Sequence, residues 1–201
     1  MVKLGVVYVA TGNKAINELY QSIKSLRLHN DLPVTVISNQ EIPHQETIIV
    51  ERPGRKARWA KLSLGELTPY DKTLYLDADT RIHGDLSTGF DILDDWDMAI
   101  AFSTRQGNDC LGHLSLQERL YTQEMIGAMI PLNLQAGVFY FNKSEQVLEF
   151  FNTWRNEWLR YHEFDQGAFL RALAQCPLRL WLLGRDFNGG QLVEHRFGAA
   201  R

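Results

Sequence analysis

Apolar runs that end at turn residues alternate along this chain with segments of helical periodicity. The run LGVVYVATG at residues 4–12 carries no charged residue before its closing Thr-Gly, which is typical of a strand buried on both faces of a parallel sheet. Residues 14–27 follow with apolar side chains three and four positions apart, as on one helix face: Ile16, Leu19, Tyr20, Ile23 and Leu26. This alternation predicts an α/β domain built around a mostly parallel sheet.

The same alternation continues into the C-terminal region. Further strands are predicted over residues 33–38, 46–50, 73–77, 97–102, 136–142 and 178–183. Helices are predicted over residues 58–67, after a capping box at Ser115 and Glu118, from Asn142 or Ser144 onward, and over residues 165–175. No repeat, linker or low-complexity segment interrupts the pattern. We therefore expect residues 1–201 to form a single domain, with one central sheet flanked by helices.

Composition narrows the class of protein. The 201 residues are 45% hydrophobic and 22% charged, which is ordinary for a globular domain. Cys110 and Cys176 match no metal or redox spacing and are expected to be reduced thiols. The N-terminal apolar run is too short for a signal peptide or a membrane span, so we expect a cytoplasmic protein. The net charge of −3 argues against general nucleic-acid binding.

Two aspartates end the most strand-like segment, KTLYLDAD at residues 72–79. Residues i and i+2 of a strand face the same side, with α-carbons roughly 6–7 Å apart, so Asp77 and Asp79 could point at one place. Carboxylates that close repel each other, and a divalent cation such as Mg²⁺ or Mn²⁺ would resolve the conflict. Strand ends of this kind are where open α/β sheets bind ligands. A solvated turn is the alternative interpretation.

Five basic residues precede this segment: Arg52, Arg55, Lys56, Arg58 and Lys61. On a helix, Arg58 and Lys61 are three positions apart and share a face. Such a face near a metal could hold a diphosphate, because cations stabilise phosphate charge. A solvated helix face is the alternative, and Lys61 is the strongest candidate of the five.

Several motifs then resemble those of family 8 glycosyltransferases, which have the GT-A fold and include glycogenin and the lipopolysaccharide galactosyltransferases. AKLSLGELTPYDKTLYLDADTRI resembles their metal-binding segment, with Lys61, Asp77 and Asp79 in the matching places. ATGNKAINELYQSIKSLRLHN resembles their first loop and helix. LQAGVFYFN, FDQGAFLRAL and HRFGAAR resemble their later motifs, in the same order. The resemblance covers nearly the whole chain and implies a single glycosyltransferase domain.

The resemblance implies a role for each matching residue. It implies a hexosyltransferase that uses a uridine diphosphate (UDP) sugar, acts on a saccharide or other hydroxyl acceptor and retains the anomeric configuration. His195 would join Asp77 and Asp79 in binding Mn²⁺ or Mg²⁺, with imidazole favouring Mn²⁺. The remaining implied site residues are Thr11 and Asn13 near the nucleotide, Lys61 and Arg201 at the diphosphate, and Gln135, Asp165 and Gln166 as catalytic residues lining the sugar.

The chain departs from the family pattern in two places. Gln135 stands where the family usually has Asn, and Arg201 stands where it has Lys, without the Pro-Trp that usually follows. We therefore expect weaker closure over the donor. Residues 104–132 carry no recognisable motif, although the resemblance implies that this stretch helps to bind the acceptor through polar groups: Gln106, Asn108, Asp109, His113 and Tyr121.

Other interpretations of these residues stay open from sequence. His195 could be a surface or core histidine, and Asp165 could simply be an N-cap. A phosphatase of the haloacid dehalogenase type also places D-x-D after an apolar strand, although Arg81 stands where it prefers Thr or Val. A non-catalytic nucleotide-sugar binder of the same fold is the other alternative, because fold does not establish activity.

Overall fold

A computed structural model describes residues 2–50, 57–103, 107, 110–129 and 131–200. Arg201, which the sequence predicted at the diphosphate, lies outside these residues. So do three of the five basic residues and three of the predicted acceptor residues: Arg52, Arg55, Lys56, Gln106, Asn108 and Asp109.

A seven-stranded sheet forms the centre of the protein. Its strands are β1 (Leu4–Val9), β2 (Val34–Ser38), β3 (Glu46–Ile49), β4 (Lys72–Asp77), β6 (Met98–Phe102), β7 (Leu134–Asn142) and β8 (Leu180–Leu183). They are ordered β3-β2-β1-β4-β7-β6-β8, and β7 runs antiparallel to both of its neighbours while the other pairs are parallel. The predicted α/β class and mostly parallel sheet are confirmed.

Two three-residue strands form a second, smaller sheet. Strand β5 (Thr80–Ile82) pairs antiparallel with β9 (Val193–His195), which places Thr80 opposite His195. The prediction that residues 178–183 form the last strand is therefore wrong. Strands of three residues are too short to show a periodic pattern. This pairing matters for the site, because it brings His195 beside the D-x-D turn across more than one hundred residues of chain.

Helices cover the sheet. They are α1 (Asn13–Arg27), α2 (Ala57–Lys61), α3 (Leu64–Leu67), α4 (Leu116–Ile126), α5 (Glu145–Trp158) and α6 (Asp165–Gln175), with 3₁₀ turns at Ser87–Asp94 and Arg185–Phe187. The single helix predicted over residues 58–67 is two short helices instead. Ser115 and Ser144 are confirmed as N-caps, because their hydroxyls accept the backbone N–H groups of Glu118 and Val147. Asn142, the other predicted start of α5, is instead the last residue of β7, and the Glu118 carboxylate of the predicted capping box contacts Arg171.

Side chains alternate along β7 between two cores on opposite faces of the sheet. Val138 and Tyr140 join the core beneath α1, whereas Phe139 and Phe141 join the core beneath α5 and α6. The second core is rich in aromatic rings, including Trp154, whose side chain is fully buried. Cys110 and Cys176 are both buried and are not joined in a disulfide, in agreement with the predicted thiols. Within the described ranges, every helix is too short or too polar to serve as a membrane span.

Candidate active site

An open cavity of about 1050 Å³ lies where β1 and β4 end. Ligands bind at this edge of open α/β sheets, since the strands point their carboxyl ends into it. Eight of the predicted site residues line the cavity: Thr11, Lys61, Asp77, Asp79, Gln135, Asp165, Gln166 and His195. The fold therefore brings together residues from five separate segments of sequence.

The two aspartates do not both lie on one strand, as the sequence had suggested. Asp77 is the last residue of β4, and Asp79 lies in the turn that leads into β5. Their carboxylates nevertheless converge with His195, and one ligand atom from each of the three residues lies within 4.8 Å of the others. The turn after β4 therefore brings the two carboxylates to one place, which the sequence predicted from two positions on a single strand.

Each carboxylate directs one oxygen to the protein and the other toward His195. Asp77 Oδ1 accepts the Tyr75 hydroxyl at 2.6 Å, while Oδ2 is 3.6 Å from His195 Nε2. Asp79 Oδ2 accepts the backbone N–H of Gly198 at 2.9 Å, while Oδ1 is 3.2 Å from the same Nε2. Burial alone would raise the pKa of Asp79, but the hydrogen bond and charge of His195 lower it below its usual value.

The His195 ring occupies space that only a glycine leaves open. A Cβ on Gly137 of β7 would lie 2.2 Å from His195 Cε1 and 3.0 Å from Asp77 Oδ2. On its other side the ring stacks against Phe197, with centroids 4.0 Å apart. The glycine of the Ala-Gly-Val run is thus the residue that lets a histidine and an aspartate meet above the sheet.

Asp165 forms a second charged group in the cavity. Its Oδ2 is 3.2 Å from Lys61 Nζ, and its Oδ1 is 3.5 Å from Arg58 Nε. Burial would raise the pKa of Asp165, but Lys61 and Arg58 outweigh it and lower the pKa to about 2. Asp165 is the first residue of α6 and Phe164 is the N-cap, so the interpretation of Asp165 as a cap is wrong.

Lys61 joins the two charged groups. Its Nζ lies 3.4 Å from Asp77 Oδ1 as well as 3.2 Å from Asp165. Burial would lower the pKa of Lys61, but the two carboxylates together raise it above its usual value. Lys61 is therefore held as a cation between the aspartate that ends β4 and the aspartate that begins α6.

Two amides line the cavity beside Asp165. Gln166 Nε2 donates to Gln135 Oε1 at 2.7 Å and lies 3.4 Å from the Leu134 carbonyl. The extra methylene of Gln135 lets its amide meet Gln166 directly.

The remaining predicted residues are placed differently. Asn13 is exposed as the first residue of α1, and the cavity lining does not include it. His113 lines the cavity and packs edge-on against Phe164, with centroids 5.1 Å apart. Tyr121 instead packs against the Arg171 guanidinium, 5.6 Å from its ring centroid.

Sequence reasoning missed four residues that shape the site: Tyr75, Gly137, Asn188 and Phe197. Tyr75 was detectable, since it lies two positions before Asp77 on the same face of β4. Asn188 follows a 3₁₀ turn outside the quoted motifs and gave no signal.

Known structures resemble the chain, although no protein-family model matches the sequence and no curated protein sequence matches it. The glycosyltransferase GlyE of Streptococcus pneumoniae is 20% identical over 92% of this chain and 46% of its own, with a TM-score of 0.64. Mouse xyloside xylosyltransferase 1 is 13% identical over 94% and 87%, with a TM-score of 0.62. The galactosyltransferase LgtC, solved with donor and acceptor sugar analogues, is 17% identical over 92% and 74%, with a TM-score of 0.59.

The chain has the GT-A fold of these glycosyltransferases. It spans less than half of GlyE, at 46% of that chain. The predicted fold class is confirmed, and this fold argues against the haloacid dehalogenase phosphatase that the sequence left open.

Proposed function

We propose that this chain is a metal-dependent glycosyltransferase that moves a hexose from a UDP-sugar to a hydroxyl acceptor, with retention of configuration. The observation that carries the proposal is the convergence of Asp77, Asp79 and His195 in the cavity at the ends of β1 and β4. A bare D-x-D turn would be weak support. A third ligand from a distant strand, in a cleft made for it by Gly137, is much stronger.

The side chains present fit a divalent cation. Asp77 and Asp79 supply hard oxygen donors, and His195 supplies an imidazole nitrogen, a set that suits Mn²⁺ better than Mg²⁺. The free oxygens of the two carboxylates face the same point beside His195, and Lys61 lies at the other oxygen of Asp77. When bound, the metal would supply positive charge that stabilises the diphosphate leaving group.

The second charged group would orient the donor sugar. A pKa of about 2 keeps Asp165 ionised at neutral pH, so its carboxylate accepts hydrogen bonds there and does not donate a proton. The amides of Gln135 and Gln166 add donors and acceptors on the adjoining wall. Lys61 contacts both Asp165 and Asp77. It would therefore fix the distance between the residue proposed to bind the sugar, Asp165, and the proposed metal ligand, Asp77.

The proposal assigns the remaining parts of the donor to the other predicted residues. Thr11, in the loop after β1, lies in the lining where a nucleotide would enter. Asn13 and Arg201 keep their predicted roles at the nucleotide and the diphosphate. The proposal also keeps a cytoplasmic location for the protein.

Donor titration tests this function against the alternative of a non-catalytic binder. UDP-glucose and UDP-galactose are titrated calorimetrically with Mn²⁺ and with a chelator, and nucleotide release is followed in parallel. We expect binding that needs Mn²⁺, together with slow release of UDP. Tight donor binding that the chelator leaves unchanged would contradict the metal role, and metal-dependent binding without any release, with or without acceptors, would favour the binder.

A further inference from the structure

A buried amide stands behind the proposed metal ligands. Asn188, with 2% of its surface exposed, lies between His195 of β9 and the backbone of β7. Its side chain spans a gap between two elements that are not otherwise paired with each other in the sheet. One end lies 2.7 Å from His195 Nδ1, and the other lies 3.2 Å from the Gln135 carbonyl oxygen.

The Gln135 carbonyl decides which way this amide points. A backbone carbonyl only accepts hydrogen bonds, so the NH₂ end of the amide must face it. The opposite orientation would bring two oxygens together at Gln135. The Asn188 oxygen is therefore the atom that faces His195, which is how the bond is assigned in the structure.

The oriented amide in turn selects the tautomer of His195. Because Asn188 Oδ1 accepts, Nδ1 must carry the proton in the neutral imidazole. When a cation is bound, the lone pair of the neutral ring is therefore on Nε2, the nitrogen that lies 3.2 Å from Asp79 and 3.6 Å from Asp77. Metal-bound histidines commonly donate their other N–H to a fixed acceptor, which also sets the angle of the ring.

We infer that Asn188 is a positioning residue for the metal site: it holds the His195 ring with Nε2 toward Asp77 and Asp79. The inference rests on the proposed function, because it takes the point between these three residues as a cation site. Asn188 also connects the wall proposed to bind the sugar with the proposed metal site. The backbone of Gln135, whose side chain faces the sugar wall, orients Asn188 and through it a metal ligand.

The affinity of the metal-free protein for Mn²⁺ alone, measured by titration calorimetry, tests the inference. Asn188→Leu removes both bonds, and we expect it to weaken Mn²⁺ binding by about 10–100-fold, the usual cost of losing such an outer partner. Asn188→Asp keeps an acceptor for Nδ1 and loses the donor to Gln135. It should recover most of the affinity, whereas a merely space-filling role predicts that the leucine variant, which has a side chain of similar size and branching, binds Mn²⁺ as well as the aspartate variant does.

The matched control is Asn30→Leu. Asn30 is also buried; it follows the C-terminal end of α1, bonds the backbone of Leu86 and Gly84, and does not line the cavity. This variant should lose thermal stability while binding Mn²⁺ as the wild type does. If both leucine variants weaken Mn²⁺ binding equally, the effect is one of general stability and the inference is wrong.

Side-chain ¹⁵N NMR of His195 in the Mg²⁺-saturated wild type reads the tautomer directly. We expect a protonated Nδ1 and a deprotonated Nε2. The reverse tautomer would overturn the inference. A wild type that binds no Mn²⁺ would overturn the metal role in the proposed function as well, whereas a wild type that binds Mn²⁺ alongside an unaffected Asn188→Leu variant would overturn the role of Asn188 alone.

Discussion

Helix α6 carries a charged cluster at each of two places, and the two clusters are built differently. At its first residue, Asp165 meets Lys61 and Arg58 on the wall of the cavity. Less than two turns further on, Arg171 meets Glu157 and Glu118 with none of its own surface exposed. We refer to these as the open cluster and the closed cluster.

The closed cluster uses every nitrogen of its arginine. Arg171 Nε donates to Glu157 Oε2 at 2.8 Å, Nη2 donates to the Glu157 carbonyl at 3.1 Å, and Nη1 donates to Glu118 and Thr122 at 3.1 and 2.6 Å. The ring of Tyr121 covers the guanidinium. None of these described side chains lines the active-site cavity, and their contacts join α4, α5 and α6.

Residues of the open cluster have charged side chains that line the cavity. Through Lys61 it extends to Asp77, whose Oδ2 faces the cavity opposite Asp79 Oδ1. Carboxylates held this close together are unfavourable in a stable fold unless something else binds them. The difference teaches that burial and ion pairing alone do not mark a site. The mark is a charged atom that the protein itself leaves facing a cavity.

The largest expected effect is on the open cluster. Asp79→Asn keeps the shape of the side chain but removes the charge that a cation needs, so we expect turnover to be lost while the protein stays folded. Nucleotide release, Mn²⁺ affinity and circular dichroism check this. The matched control is Asp97→Asn, another buried aspartate, which pairs with Arg179 away from the cavity. Unfolding of Asp79→Asn, or normal turnover, would make the pair structural.

Substitution in the closed cluster should lower the stability of the fold and leave Mn²⁺ binding nearly unchanged. Arg171→Met removes the buried cation that Glu118 and Glu157 share, which typically costs about 3–5 kcal/mol of unfolding free energy. The folded fraction should bind Mn²⁺ within a few-fold of wild type. Urea unfolding measures the loss. The control, Arg160→Met, removes the exposed partner of the same Glu157 and should cost at most about 1 kcal/mol. Equal losses in the two variants would remove the distinction between the clusters.

The sequence predicted the two clusters unequally. The D-x-D pair and Lys61 lie within one continuous segment, so local pattern was enough to find them. The closed cluster joins three helices, and periodicity says nothing about which charges meet across them. Glu118 shows the limit: it was expected only as the second member of a capping box. The cap does form at Ser115, but the Glu118 carboxylate turns inward to Arg171.

His195 and Asn188 show a second limit of sequence. His195 reaches the site because β9 pairs with β5, and strands of three residues leave no periodic signal. The resemblance to known glycosyltransferases identified His195 where physical pattern alone could not. Asn188 had neither signal, since a single Asn after a short turn is common in any loop.

The open and closed clusters can also be compared by adding a methyl group to a glycine near each of them, Gly137 beside His195 and Gly167 beside Glu118 and Arg171. A Cβ at Gly137 would meet His195 Cε1 at 2.2 Å, whereas one at Gly167 in the closed cluster would meet Leu114 Cδ1 at 2.8 Å. Gly137→Ala should therefore displace a metal ligand and weaken Mn²⁺ binding by about 10–100-fold. Gly167→Ala should leave Mn²⁺ binding unchanged, because its added methyl group meets Leu114, Glu118 and Arg171 and none of the proposed metal ligands. Calorimetry on both variants decides, and unchanged affinity in Gly137→Ala would contradict the placement of His195.

Acid should destabilise the open cluster but not the closed one. The pKa of Asp165 falls from 3.8 to about 2 on folding. A lowered pKa contributes stability that is fully present above the unfolded value and is lost as the pH falls from about 4 to about 2, here about 2–3 kcal/mol. Glu118 has the opposite sign, because burial raises its pKa despite Arg171. The two carboxylates should therefore give opposite slopes of stability against pH.

Urea unfolding between about pH 7 and pH 2 measures these slopes, because Asp165 acts in the lower part of this range and Glu118 in the upper part. In Asp165→Asn the loss of stability over the last two pH units should be smaller than in wild type, since no carboxylate titrates there. In Glu118→Gln the change should appear above about pH 4.5, where the wild type gains stability as the buried carboxyl takes up its proton and the variant does not. Parallel curves for wild type and Asp165→Asn would mean that Lys61 and Arg58 do not stabilise the ionised form.

Substitution of Gln135 is expected to have the smallest effect on stability and to change only the preference among donor sugars. Its Oε1 accepts from Gln166 at 2.7 Å, and the shorter side chain of Asn would not reach. Gln135→Asn should therefore change stability by no more than about 1 kcal/mol, the usual worth of one hydrogen bond. It should free the Gln166 amide to meet the donor sugar instead.

Donor preference should then change more than stability does. Glucose and galactose differ at one hydroxyl, and a site that bonds a hydroxyl discriminates strongly by leaving its own groups unpaired when the match is wrong. Hydrolysis rates across a panel of UDP-sugars compare wild type with Gln135→Asn and with Gln146→Asn, the same shortening at a surface amide that bonds the Pro177 carbonyl. We expect a new ranking only in the first variant. An unchanged ranking of donors would show that Gln135 does not select the sugar. Asp165 of the open cluster would then be the residue to test for contact with the donor.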